Sequence, residues 1–160
     1  MKLTYNKYLK IDELLDLQEY RSDPEEHDEM LFIIIHQTYE LWFKQILHEF
    51  DKLQADLESD KLWSAMKTMR RVLTILKTMV AQIDVLETMT PLEFNSFRGF
   101  LDEASGFQSV QFREVEILCG LRSTHILEAH ADQPKYVKRM EQRMETPYPL
   151  GKLLYVSAKK

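Results

Sequence analysis

A single cysteine, Cys119, occurs in the 160-residue chain, which rules out an internal disulfide and a multi-thiolate zinc site. Such sparing use fits a reducing, cytoplasmic setting. Four glycines, at 99, 106, 120 and 151, are too few and too scattered for a phosphate loop or a dinucleotide fingerprint. The prolines stand at 24, 91, 134, 147 and 149, so neither breaker interrupts residues 25–90. No apolar run approaches the roughly 20 residues that cross a bilayer, and residues 1–8 lack the apolar core of a signal peptide. Positive charge is short as well. Lys and Arg number 21 against 26 Asp and Glu, for a net charge of −5. That balance excludes the basic footprint nucleic acid demands. The cations that cluster, Lys135, Lys138, Arg139 and Arg143, alternate with Glu141 and Glu145 as on a solvated, ion-paired helix face.

What is present is an ordinary globular balance, 44% hydrophobic and 29% charged, long enough for one domain with a real core over residues 1–160. No alternating pattern is sustained, which predicts an all-α protein. Ser22-Asp23-Pro24-Glu25 carries the grammar of a helix start. From there to Pro91, the polar break at Glu58-Ser59-Asp60 divides the chain into two long helices, about 24–58 and 61–87. In the second, Leu62, Met66, Met69, Leu73, Leu76, Val80 and Ile83 alternate four and three, a heptad-like seam for packing. Thr90-Pro91-Leu92-Glu93 repeats the capping grammar and opens a third helix to about Leu101. A fourth runs from about Ser109 to Cys119 and is closed by Gly120. Pro134 to Glu145 reads as a short amphipathic helix, after which Pro147, Pro149 and Gly151 end regular structure. Residues 153–156 carry no pattern that can be interpreted.

Chemistry concentrates in residues 27–43, where His36 sits inside a run apolar enough for a buried helix. A histidine there needs a hydrogen-bond partner, a ligand or a reaction. Phe32 and Glu40 lie one turn away on either side. Two readings stay open: a wall for a planar ligand, or a core histidine bonded to Glu40 or to a backbone carbonyl. Arg98, set among Phe94, Phe97 and Phe100, is equally open. It can clamp a carboxylate, or it can pair with Asp102 one turn on.

A di-iron bundle needs Glu-x-x-His pairs. The residues three before His27, His36, His48, His125 and His130 are Pro24, Ile33, Gln45, Arg122 and Leu127, so that centre is excluded. No serine stands in a nucleophile elbow. What survives is an apolar, aromatic pocket with few polar groups, the usual profile of a small-ligand site.

Four ordered blocks bear on identity. They are Leu3-Thr4-Tyr5 with Tyr8-Leu9; His27 to Phe43; Leu86-Glu87-Thr88-Met89-Thr90-Pro91 running to Phe97-Arg98; and Ala104-Ser105-Gly106-Phe107-Gln108-Ser109 to Gln111-Phe112-Arg113. Through them the chain resembles the tryptophan 2,3-dioxygenase family over about residues 3–121. The resemblance implies a bundle of long antiparallel helices of the tryptophan/indoleamine 2,3-dioxygenase type, in an intertwined homotetramer. It implies haem, L-tryptophan and O2, with oxidative opening of the indole ring to N-formylkynurenine on the kynurenine route. Phe32 and His36 would line the distal side of the haem, His36 facing the indole N–H. Arg98 would hold the substrate carboxylate. Phe94 falls where some members carry a tyrosine that assists the arginine. Ser105 and Gly106 would lie by the haem edge, and Tyr5, Tyr8 and Leu9 would reach into a neighbouring subunit's pocket.

One departure accompanies the resemblance. The family's proximal haem histidine and its Gly-Thr-Gly-Gly-Ser loop belong to a C-terminal half that this sequence does not contain. Neither His125 nor His130 matches the ligand's motif, so no metal ligand is assigned. Three origins stay open: a naturally short relative, a partner chain that supplies the rest, or a fragment. The two functional expectations are accordingly a haem dioxygenase, and a non-catalytic helical oligomer that keeps an indole or haem pocket without oxidising its ligand.

Overall fold

Two long helices set the frame of the structure, a computed structural model that describes residues 2–146 and Gly151. Helix α3 (His27–Glu58) and helix α4 (Leu62–Leu86) are 32 and 25 residues long, on the order of 48 and 37 Å at the α-helical rise. They are preceded by two short helices, α1 (Tyr5–Leu9) and α2 (Ile11–Leu15). After them come α5 (Pro91–Arg98), 3-10 turns at Gly99–Leu101 and Gly106–Gln108, α6 (Val110–Leu118), α7 (His125–Glu128) and α8 (Pro134–Glu145). Every regular element among the described residues is helical, as composition and periodicity predict. No helix among them is long and apolar enough to cross a membrane.

The chain reverses between α3 and α4 at Asp60, whose φ of 54° is left-handed; Lys61 N–H closes the turn on Asp56 O at 2.8 Å. Three cross-links then fix an antiparallel register. Tyr39 Oη donates to Met79 O at 2.6 Å, Arg71 Nη1 to Glu49 Oε1 at 2.8 Å, and Lys52 Nζ to Ser64 Oγ at 2.8 Å. As one number rises the other falls. The core between the two helices is built from Ile46, Phe50, Leu53 and Leu57 of α3 with Ala65, Val72, Ile75 and Met79 of α4, and Val115 and Leu118 of α6 close it.

The seam expected on α4 is half right. Met69 is buried and Leu76 partly so, but Met66, Leu73 and Val80 are 52%, 53% and 66% exposed. The inward row is Ala65, Val72 and Met79, one residue earlier in each heptad. A four-three alternation contains both an inward and an outward row, and the position of α3 selects between them.

Helix ends follow local chemistry where that chemistry is self-contained. Thr90 and Glu93 form a reciprocal capping box on α5. Gly120, at φ 112°, ends α6: its N–H bonds Ile117 O at 3.0 Å and Leu121 N–H bonds Glu116 O at 2.9 Å, the paired bonds of a Schellman stop.

The start of α3 differs from the expected 24. Ser22 does not cap a helix at that point. Its N–H and hydroxyl, with Arg21 N–H, converge on the carboxylate of Glu29 in the first turn of α3, and its Oγ accepts from Glu26 N–H. The fold-back delays the helix to His27. Burial raises the Glu29 carboxyl pKa, but the Ser22 hydroxyl and the two backbone N–H groups outweigh burial and hold it below the ordinary carboxylate value. A folded pKa below the unfolded one gives stability that is complete above the unfolded value and is lost as pH falls through the folded one. Glu29→Gln should therefore lower the urea midpoint at neutral pH. The gap to the native chain should close on acidification below the ordinary carboxylate range; a gap independent of pH would contradict this.

Helix α8 docks through Met140, which is fully buried, and through Arg139 and Arg143, which both reach the buried Glu114 of α6. Arg143 also pairs with Asp51 of α3. Removing one side of a buried ion pair is costly, although both arginines keep contact with solvent. We expect Glu114→Ala to cost about 2 kcal/mol, read as a lower urea midpoint, with amide exchange of α8 rising most. The Leu153–Val156 tail and Pro147 and Pro149 lie outside the described residues.

Candidate functional site

The imidazole of His36 is fixed from within its own helix. Its Nδ1 lies 2.7 Å from Phe32 O. A carbonyl only accepts, so Nδ1 carries the proton of that bond, and in the neutral form of the ring the lone pair is at Nε2. Of the two partners that the core-histidine reading allows, the structure shows the backbone carbonyl and not Glu40. The Glu40 carboxylate instead accepts from Gln111 Nε2 of α6 at 2.7 Å, and the same amide donates to Glu40 O at 2.9 Å. That clamp holds α6 against the middle of α3.

Nε2 of His36 faces Gly106, where an added Cβ would stand 3.9 Å from it. Between α3, the end of α4 and the start of α6 lies a cavity of about 360 Å³, lined by His36, Tyr39, Phe43, Ile83, Leu86, Gly106, Ser109 and Phe112 among others. This is at the small end of ligand pockets. Few polar groups reach it. Tyr39 is committed to Met79 O, and burial pushes its phenol pKa up, so it stays a neutral donor. Ser109 caps α6, its Oγ accepting from Phe112 N–H at 3.1 Å.

Phe32 packs against His36 with ring centroids 4.1 Å apart and planes tilted by 39°, and stands 5.7 Å from Phe94 and 5.5 Å from Phe97. Phe97 is fully buried and so anchors α5 to α3. Arg98 follows it, half-buried, with Nη1 on the backbone carbonyl of Asp102 at 3.0 Å. Pairing with the Asp102 carboxylate does not occur: among the described residues Arg98 is in no ion pair. Among those residues nothing neutralises its charge.

Of the expected site residues, the structure brings together Phe32, His36, Phe94 and Gly106, with Arg98 next to Phe97 of the same aromatic cluster. Ser105 is exposed and caps the 3-10 turn that carries Gly106. Tyr5, Tyr8 and Leu9 are exposed on α1, which buries none of its residues. His48 is exposed. His125 is exposed and its Nδ1 contacts Glu128 at 3.1 Å. His130 is buried, donates from Nδ1 to Ile126 O at 3.0 Å, and leaves Nε2 without a partner among the described residues. None of these three histidines lines the cavity. No group of three or more His, Cys, Asp and Glu among the described residues could hold a metal ion. Tyr39, Phe43, Ile83 and Leu86 on the cavity wall, and Gln111 through its clamp on Glu40, are residues to which the sequence pattern assigns no part in a site. Ile83 stands in the seam assigned to packing, and Gln111 inside the last of the four blocks.

The sequence profile described as "Tryptophan 2,3-dioxygenase" matches residues 1–153. The chain belongs to the tryptophan 2,3-dioxygenase family. The match extends past residue 121, where the recognisable blocks end. A tryptophan 2,3-dioxygenase of Herpetosiphon aurantiacus is 59% identical over 145 residues, 91% of this chain and 55% of that protein. One from Anaeromyxobacter dehalogenans is 52% identical over 153 residues, 95% of this chain and 57% of that protein. A third, from a Nocardioides strain, is 48% identical over 151 residues, again 57% of its length. The chain thus spans about half the length of the curated family members it matches. Within that half lie the whole of α3 to α6 and the cavity between them.

Proposed function

We propose that this chain forms the indole-facing half of a tryptophan 2,3-dioxygenase centre, at which L-tryptophan is held for haem- and O2-dependent opening of its indole ring to N-formylkynurenine. The observation that carries the reading is the way His36 is held. Its Nδ1 proton is spent on Phe32 O, so the neutral ring offers Nε2 as an acceptor beside Gly106 in an apolar cavity. Indole N–H is a donor with no acceptor capacity, and it finds few other acceptors there. Phe32 and Phe94 supply aromatic surface, and Arg98 holds the amino acid's carboxylate by paired hydrogen bonds. Phe94 has no hydroxyl, so the added hydrogen bond of a tyrosine at that place is missing. Tyr5, Tyr8 and Leu9, idle on their own chain, complete the pocket of a neighbouring subunit in a cytoplasmic homo-oligomer.

The residues fit one face of a haem. The cavity wall is aliphatic and aromatic, and Gly106 on it, with Ser105 before it, would meet the macrocycle edge. When bound, haem supplies the activation of O2. His36 is the one histidine on the cavity among the described residues, and it faces the indole in this reading. The described residues therefore offer no second histidine on the cavity wall that would hold the iron. That favours a second reading for the chain acting alone: a helical oligomer that binds indole or haem without oxidising its ligand.

A haemin titration with and without L-tryptophan, followed at the Soret band, separates the two. Saturable one-to-one binding with a tryptophan-dependent shift, followed by N-formylkynurenine production, supports the dioxygenase. Binding without product supports the second reading, and no specific binding removes haem from both.

A further inference from the structure

Residues 101–104 join the Arg98 segment to the turn that carries Gly106. Ala104 N–H bonds Leu101 O at 2.9 Å, which makes the segment a hydrogen-bonded β-turn. Its first central residue, Asp102, has φ 46° and ψ −123°. Those are the dihedrals of the first central position of a type II′ turn, a place that glycine ordinarily fills. Aspartate tolerates the left-handed helical region, where ψ is positive, but this region is strained for any residue with a Cβ. The strain coincides with a contact. The Asp102 carbonyl, on the peptide whose orientation this ψ fixes, accepts from Arg98 Nη1 at 3.0 Å. Relaxing Asp102 to a negative φ reorients that peptide and withdraws the acceptor from Arg98. Backbone strain of this kind persists only where its surroundings over-determine it, and it gathers at binding sites.

We propose that the Leu101–Ala104 turn is a positioning device for Arg98, with Asp102 the positioning residue. Its carbonyl fixes one edge of the guanidinium and leaves the other N–H groups as a fork for a ligand carboxylate. A neutral carbonyl suits this task because it orients the guanidinium without neutralising it, as the Asp102 carboxylate would. The inference rests on the reading of Arg98 as a carboxylate holder, and its test is built so that the two can fail separately.

The test compares D102G and D102V with the native chain. Glycine accepts the turn's dihedrals freely, whereas β-branched valine resists a positive φ. Two readouts are used: the ¹⁵N-guanidinium NMR spectrum of Arg98, and affinity for L-tryptophan beside tryptamine, which has the same indole but no carboxylate. D102G should keep the native Arg98 spectrum and L-tryptophan affinity, and melt about 2–6 °C higher as strain is relieved. D102V should average the Arg98 η-proton signals and weaken L-tryptophan about tenfold, leaving tryptamine unchanged. Native Arg98 signals in D102V would overturn the proposal, as would a lower melting temperature in D102G or an equal loss of both ligands. D102G remains decisive if D102V does not fold. Should the native chain bind neither ligand, the carboxylate role of Arg98 fails, while the guanidinium spectrum still decides the turn.

Discussion

Arg98→Ala should lower affinity for L-tryptophan about a hundredfold, while affinity for tryptamine changes little. The size reflects the loss of a paired, charge-assisted hydrogen bond in a partly desolvated place, worth roughly 2–5 kcal/mol. The selectivity comes from geometry. Arg98 already spends one N–H on Asp102 O and has no carboxylate partner among the described residues, so its charge is available to the ligand and not to the fold. Folding should survive the substitution, because α5 is anchored by Phe97, which is fully buried, and not by Arg98. Calorimetric titration with the two ligands checks it. Equal losses for both, or none for either, would remove Arg98 from the site.

Phe50→Ala should destabilise the fold by about 3–5 kcal/mol, the usual cost of emptying a buried phenylalanine site. Phe50 lies 2% exposed in the cluster that joins α3, α4 and α6. Its neighbours there come from a long antiparallel pair cross-linked along its length, which leaves little freedom to collapse into the void. Urea unfolding should show the midpoint fall with the slope unchanged. A loss below about 1 kcal/mol would mean that the helices close the cavity and that the core is looser than its burial implies.

Helix positions are legible in the sequence where the determinants are local. Residues 25–90 contain neither proline nor glycine, and the Thr90–Glu93 box closes within one turn. The rotation of α4 is not legible, because the four-three seam contains both Met69, which is buried, and Met66, which is not. The true start of α3 is hidden for another reason. Ser22 has every feature of a cap, and only the fold-back onto Glu29 redirects it. At the site, His36 and Arg98 stand out because an ionisable group in an apolar run must be accounted for. The clamp of Gln111 on Glu40 spans 71 positions and leaves no periodic trace. The strain at Asp102 is invisible in the sequence, which places an aspartate where the backbone asks for glycine.

In the proposed site His36 presents an unprotonated Nε2 to an indole N–H. The most direct measurement is the ¹⁵N imidazole spectrum of His36 at neutral pH, recorded alone, with L-tryptophan and with 1-methyl-L-tryptophan, whose ring nitrogen has no proton to donate. The Nδ1–H tautomer should persist throughout, with the Nε2 signal shifted by L-tryptophan and not by its methylated analogue. A proton on Nε2, or the same shift from both compounds, would contradict the claim.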